Sequence, residues 1–259
     1  MSRLEWASPG ERSYEQGVDR AVLYVDGVDG VAWNGILSII EQPTGGENRT
    51  VFIDGIKIVN TIAKEYFGGT ITAFYSPPEF DICDGGFALN DSVIAYQQKR
   101  KAFGFSFRTL VDGGPRYKIH LVYNALAAPS PSAHRTIAEE TEIEPLSWAF
   151  TSTPVLYPGF ERTSHIVIDS EEVDPWVLEQ LEDILYGTPS TPPWLPYPSD
   201  LEDLYVEAPD TLIVTDHGDG SFTVEGPNEA IQTFGDGIFQ VTWPTAIELD
   251  PVTYQISSS

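Results

Sequence analysis

The chain has 259 residues, and its 14 Lys and Arg against 39 Asp and Glu give a formal charge of −25. All 14 bases fall in the first 162 residues, where 20 acids leave a net of −6, while the last 97 residues hold 19 acids and no base. Gripping nucleic acid needs Lys or Arg to displace counterions from phosphate, so the C-terminal stretch is excluded from that role; strong like charge instead keeps particles apart and soluble.

This length suits one large domain, or a domain with a small companion, and can bury roughly 70% of its unfolded surface without covalent staples. Aromatics at 12%, with 22 Gly and 20 Pro, predict many short strands joined by turns. The lone Cys83 rules out an intramolecular disulfide and fits folding in a reducing cytoplasm. The opening Met1–Trp6 lacks the apolar core of a signal peptide, and no apolar run approaches membrane-spanning length. The expectation is a soluble protein made inside the cell, with no membrane insertion.

In chain order, Ala21–Val25 is a short apolar run followed by the turn-rich Asp26–Gly30. Val51–Ile53 and Ile56–Val59 flank Asp54-Gly55, a strong hairpin signal because both turn positions want positive φ. Phe103, Phe105 and Phe107 fall on one face of a strand, with Gly104, Ser106 and Arg108 on the other. Tyr117, Ile119, Leu121 and Tyr123 repeat that alternation after Gly113-Gly114-Pro115, which predicts a long hairpin. His165–Asp169 reads as a further strand.

One helix is expected next. Asp174 can accept from the free amides of a first turn, Pro175 suits the first helical position, and Val177, Leu178, Leu181, Ile184 and Leu185 recur at helical spacing. Gly187 is expected to close it in the left-handed conformation. Five prolines between Gly187 and Ser199 predict an extended, semi-rigid connector whose Trp194 and Tyr197 need cover from this subunit or a neighbour. From about Asp200 the pattern reads as purely β: runs at 212–215, 221–225, 230–234, 238–243, 247–249 and 253–256 predict a small sandwich or meander.

Candidate chemistry is thin. Glu139-Glu140 and Glu171-Glu172 are the obvious carboxylate pairs for a glycosidase, but among 39 acids a solvated surface is the better reading. Asp26, Asp29, Asp216 and Asp219 sit in Gly-rich turns without the spacing of a twelve-residue calcium loop. His120, His134, His165 and His217 are scattered and none lies near Cys83 at a zinc-ligand spacing; His120 and His165 read as sheet-face residues, and no metal ligand is assigned. Neither a nucleophile elbow nor a phosphate loop is present in the sequence. No catalytic residue, cofactor or metal is therefore expected, and the chain reads as a non-enzyme. Lys99, Arg100, Lys101, Arg108, Arg116 and Lys118 gather six of the 14 bases in twenty positions. They are candidates either to pair with carboxylates of a neighbouring subunit, fixing register and partner, or to balance nearby acids. Together with Trp194 and Tyr197 they form the candidate inter-subunit set.

Several phrases taken together resemble a known family. Phe105-Ser-Phe-Arg-Thr-Leu110 with Tyr117-Lys-Ile-His-Leu-Val-Tyr-Asn-Ala-Leu-Ala-Ala-Pro129, then His165–Ser170 and Leu181–Gly187, resemble the major tail (tube) protein of long-tailed, siphovirus-type phages of actinobacterial hosts. Tyr14-Glu15, Gly17–Tyr24 and Trp33-Asn34-Gly35 are similar to that family's opening, and Gly218–Val224 with Phe239–Pro244 to small β modules appended to such proteins. The resemblance implies a mainly β fold: a tail-tube-type β-sandwich with one flanking α-helix over residues 1–188, a Pro-rich linker over 189–202, and an acidic all-β domain, Ig-like or meander, over 203–259. It also implies a structural virion protein of the tail, assembled in the host cytoplasm and lacking cofactors. Copies would form rings, commonly sixfold, that stack into a hollow tube for genome delivery. Its partners would be itself, other tail proteins at the tube ends, and double-stranded DNA passing without specific binding. Ala127–Pro145 is a candidate ring-to-ring loop. Two other readings stay open: a distal-tail or baseplate subunit with the same fold, and a carbohydrate-binding virion module using Trp194, Tyr197 and Trp243.

Overall fold

The structure, a computed structural model, describes residues 13–54, 56–90, 92–131 and 144–207, and the strands within 213–216, 222–225, 231–234 and 238–241. The fold is mainly β. The strands run β1 (Glu15–Val25), β2 (Val31–Ala32), β3 (Ile36–Glu41), β4 (Thr44–Gly45), β5 (Asn48–Ile53), β6 (Ile56–Ile62), β7 (Glu65–Tyr66) and β8 (Gly68–Ala73). After a single 3₁₀ turn at Pro78–Phe80 come β9 (Phe87–Asn90), β10 (Val93–Ala95), β11 (Phe103–Val111), β12 (Tyr117–Ala127), β13 (Leu146–Ser152) and β14 (His165–Asp169). Two helices follow, α1 (Pro175–Tyr186) and α2 (Pro198–Glu207), and then β15 (Ile213–Asp216), β16 (Phe222–Glu225), β17 (Ile231–Phe234) and β18 (Ile238–Val241).

Eight strands form one antiparallel sheet in the order β2-β1-β11-β12-β13-β8-β3, with β14 on β12. The predicted Phe103–Tyr123 hairpin is its centre, pairing Phe105 with Val122 and Leu110 with Tyr117. Midway, β12 changes partner: Lys118–Val122 pair with β14, and Ala125–Ala127 pair with β13. The change falls at Asn124, which holds φ +45° opposite a register shift in β11. A bulge of this kind bends a strand and sharpens its twist, and here the sheet curls until β3 approaches β1.

The curl encloses an aromatic core. Trp33, Phe80, Phe103, Phe105, Trp148 and Phe150 interlock there, with ring centroids 4.6–5.9 Å apart, the distance range of tilted and edge-on pairs. Cys83 is buried against this core, and burial pushes its thiol up to about 12.

The other face of the sheet carries the helices. Asp174 accepts from the Trp176 amide at 2.8 Å and Pro175 opens α1, as the residues predict. Val177, Leu181 and Leu185 are buried against Ile119, Leu121 and Tyr123, while Leu178 and Ile184 pack at the margin. Gly187 does take positive φ (+78°), but its ψ of 161° is extended rather than left-handed helical. The chain therefore leaves α1 straight into the Pro-rich segment instead of curling back.

That segment docks on its own subunit. Gly30 donates to the Pro193 carbonyl (2.8 Å), Trp194 to Ile184 (3.0 Å), and the Tyr123 hydroxyl to Pro196 (2.9 Å). Leu195 lies over Gly104, where a Cβ would collide with it. The connector then ends earlier than its prolines predict. Pro198–Glu207 is a second flanking helix where one helix, and then only strands, were expected. Asp200, in its first turn, accepts from the Tyr197 amide at 2.7 Å, closing the helix start. Leu201 and Leu204 pack on the α1 cluster. Of the six runs expected after 200, four are strands, paired as β15–β16 and β17–β18; 247–249 and 253–256 lie outside the described residues.

Candidate functional site

A long hairpin runs from Ile36 to Ala73, and only its root belongs to the main sheet. At its root β3 pairs with β8, Ile36 facing Ala73 and Glu41 facing Gly69. Beyond the root, β4 pairs only with β7 and β5 only with β6. Asp54 at the tip has φ +51°, as an Asp-Gly hairpin turn requires. From Gln42 to Asp54 the arm reaches up to ~40 Å at ~3.3 Å per residue. Ile56 and Ile58 on it are 64% and 57% exposed. A second hairpin, β9–β10, also stands off the main sheet and exposes Phe87, Leu89, Val93 and Ile94. Open strand edges and clustered exposed apolar side chains are the two surface features that most favour association.

The basic residues singled out in the sequence are scattered over this body and mostly engaged within the chain. Arg108, buried, forks onto both oxygens of Asp19 (2.9 and 2.8 Å), lies 3.5 Å from Glu182 and sits over the Tyr117 ring. That hydrogen bond is the main reason the Asp19 carboxyl lies below its ordinary range. Arg100 pairs with Asp84 at 2.7 Å, Arg116 with Glu171 at 2.6 Å, and Lys118 with Glu15. Lys101 donates to the Asp26 carbonyl at 2.6 Å, and Lys99 is exposed. Within the chain, Arg100, Arg108, Arg116 and Lys118 each balance a nearby acid. Trp194 and Tyr197, 41% and 53% exposed, flank an open groove of about 380 Å³ with Asp26, Lys101 and Asn124. Of the other candidates, Glu171 is taken by Arg116, and Glu139-Glu140, His134, His217 and Asp219 lie outside the described residues.

Sequence spacing did not reveal one cluster. His120 on β12 and His165 on β14 are diagonal neighbours on one sheet face, because His120 faces Val167 and Val122 faces His165. Glu41, at the end of β3, closes the group from the hairpin root. Nδ1 of His120 lies 3.0 Å from Nε2 of His165, and Glu41 Oε1 lies 3.5 and 3.8 Å from those two nitrogens. Phe107 stacks on His120 and Phe67 on His165. Burial lowers His165 to about 4, and the His120 hydrogen bond holds Glu41 below the usual carboxylate range. The only sequence signal was two histidines in strands; the register that joins them is not written locally.

Among the described residues no helix is long and apolar enough to cross a membrane. No protein family and no curated protein matches this chain.

Proposed function

We propose that this chain is a structural virion protein, the major tail tube subunit of a long-tailed phage, stacking as sixfold rings into the hollow channel that delivers the genome. Its residues 1–188 would be a tail-tube-type β-sandwich, and the acidic C-terminal module would project outward. The observation that carries the reading is the Ile36–Ala73 hairpin, whose outer half is a two-stranded ribbon pairing only with itself. An isolated ribbon is marginal in water, and this one exposes Ile56 and Ile58; strands of a second copy would satisfy its edges. The resemblance of several sequence phrases to tail tube proteins is the second support. Partners are then further copies, other tail proteins at the tube ends, and double-stranded DNA passing without specific binding.

Trimming the arm tests this. Replacing residues 46–63 by a short Gly-containing turn leaves β3–β8 and both cores intact. Sedimentation velocity should show the full chain forming large assemblies and the trimmed chain staying monomeric with unchanged far-UV circular dichroism. Assembly that survives the trimming sinks the hairpin argument. Copy number in the virion separates a tube subunit, present in dozens, from a distal-tail component present in a few.

A further inference from the structure

We propose that Glu41, His120 and His165 form a binding site for one divalent transition-metal ion of the zinc type, placed at the root of the long hairpin.

The three donor atoms lie close enough together to share one ion. Their separations are 3.0, 3.5 and 3.8 Å. Ligands at ~2.0–2.1 Å from a tetrahedral ion lie about 3.3 Å apart, so a cation fits with shifts of a few tenths of an ångström. Two imidazole nitrogens and one carboxylate oxygen are also the ligand types that borderline cations such as zinc select over magnesium or calcium, which take all-oxygen shells.

The hydrogen bonding points the same way. At 3.0 Å the two ring nitrogens must share one proton, since two protons would collide and two lone pairs would repel. One proton thus serves two nitrogens and a carboxylate. A dication satisfies all three at once, and the proton moves to the far nitrogen of its own ring. For His120 that far nitrogen, Nε2, lies 3.0 Å from Thr109 Oγ1, which donates onward to Glu15. Metal-bound histidines characteristically have such an outer partner, which fixes ring orientation. The stacked Phe107 and Phe67 hold both rings and cover the site from the apolar side. Glu41, 39% exposed in its side chain, leaves an entry path and room for water as fourth ligand.

The position gives the ion a task. Glu41 is the last residue of β3, where the hairpin leaves the body, whereas the histidines belong to β12 and β14. A bound ion ties the hairpin root to the centre of the sheet. This inference does not depend on the tube assignment, because it can be read on the full chain in any assembly state.

The test is zinc titration of full-length protein after chelator treatment, followed by calorimetry and thermal unfolding. One equivalent should bind per chain. At zinc 100 times its Kd the unfolding equilibrium should shift about 100-fold, about 2.7 kcal/mol, which raises Tm by about 5–10 °C at this chain length. Cobalt should show the intensified visible absorption of a four-coordinate site. Glu41→Gln, which changes only a half-exposed side chain, should abolish the zinc shift while leaving the metal-free Tm close to wild type; His165→Gln should abolish the shift too, from a lower metal-free Tm because the Phe67 stack and the His120 hydrogen bond are also lost. The proposal is overturned if zinc leaves Tm unchanged, if magnesium raises it equally, or if the zinc shift persists in Glu41→Gln, which would locate the ion on the acidic surface.

Discussion

Replacing Arg108 with alanine removes a side chain that touches β1, β12 and α1 together. Its side chain is only 9% exposed, forks onto Asp19 at 2.9 and 2.8 Å, approaches Glu182 at 3.5 Å and lies 4.2 Å from the Tyr117 ring centroid. Removing one member of a buried ion pair costs about 3–5 kcal/mol because the remaining charge is stranded. Here the carboxylates are not sealed in: Asp19 and Glu182 keep 38% and 25% of their side-chain exposure and can rehydrate. The low end, about 3 kcal/mol, therefore applies, of which the cation–π contact accounts for ~0.5–1. Arg108→Lys keeps the charge but loses the fork, and should cost roughly half as much. Asp19→Asn, which leaves Arg108 its Glu182 contact, should cost ~1 kcal/mol. Urea unfolding followed by tryptophan fluorescence should show the Arg108→Ala midpoint lower by roughly 1 M. An Arg108→Ala protein within ~0.5 kcal/mol of wild type, the range of ordinary surface changes, would refute the reasoning. A variant that folds normally yet cannot self-associate would give Arg108 the role of inter-subunit contact.

Two further expectations follow from the same geometry. A Cβ on Gly69, which faces Glu41 in the hairpin root, would collide with the Ile40 carbonyl oxygen and come within 3.1 Å of the Phe150 ring. Because backbone cannot yield as a side-chain end can, Gly69→Ala should cost ~1–3 kcal/mol and speed amide exchange in β3 and β8; Gly114→Ala, with only the Val111 carbonyl 3.9 Å away, is the neutral control. The depressed carboxyl of Asp19 stabilises the fold fully above the ordinary aspartate range near pH ~4, and that contribution is lost as pH falls through its lower folded value. Asp19→Asn should therefore flatten the acid limb of the stability curve, and an unchanged limb would count against the Arg108 pairing.

What the sequence revealed was local. Alternation at Phe103, Phe105 and Phe107, the Asp54-Gly55 turn, and the Asp174-Pro175 start with its Val177–Leu185 stripe each lie within a dozen residues, and each forms the expected element. Helix α2 is obscured in the sequence by the run of prolines that leads into it. Yet Asp200 at the third helical position and the Leu201–Leu204 spacing were legible. The Glu41–His120–His165 group joins positions 79 and 45 residues apart in the chain. It exists only through the pairing of β12 with β14 and the curl that brings Glu41, at the end of β3, beside their histidines. The partners of Arg108 depend on register in the same way, since Asp19 faces it across β1 and β11. Neither could be read without the sheet order.

Electron microscopy of the purified full-length chain tests the central claim most directly. Stacked rings with a central channel, viewed end-on and from the side, are what the account predicts. A uniform field of single particles at every concentration and ionic strength, with the arm intact, would contradict it.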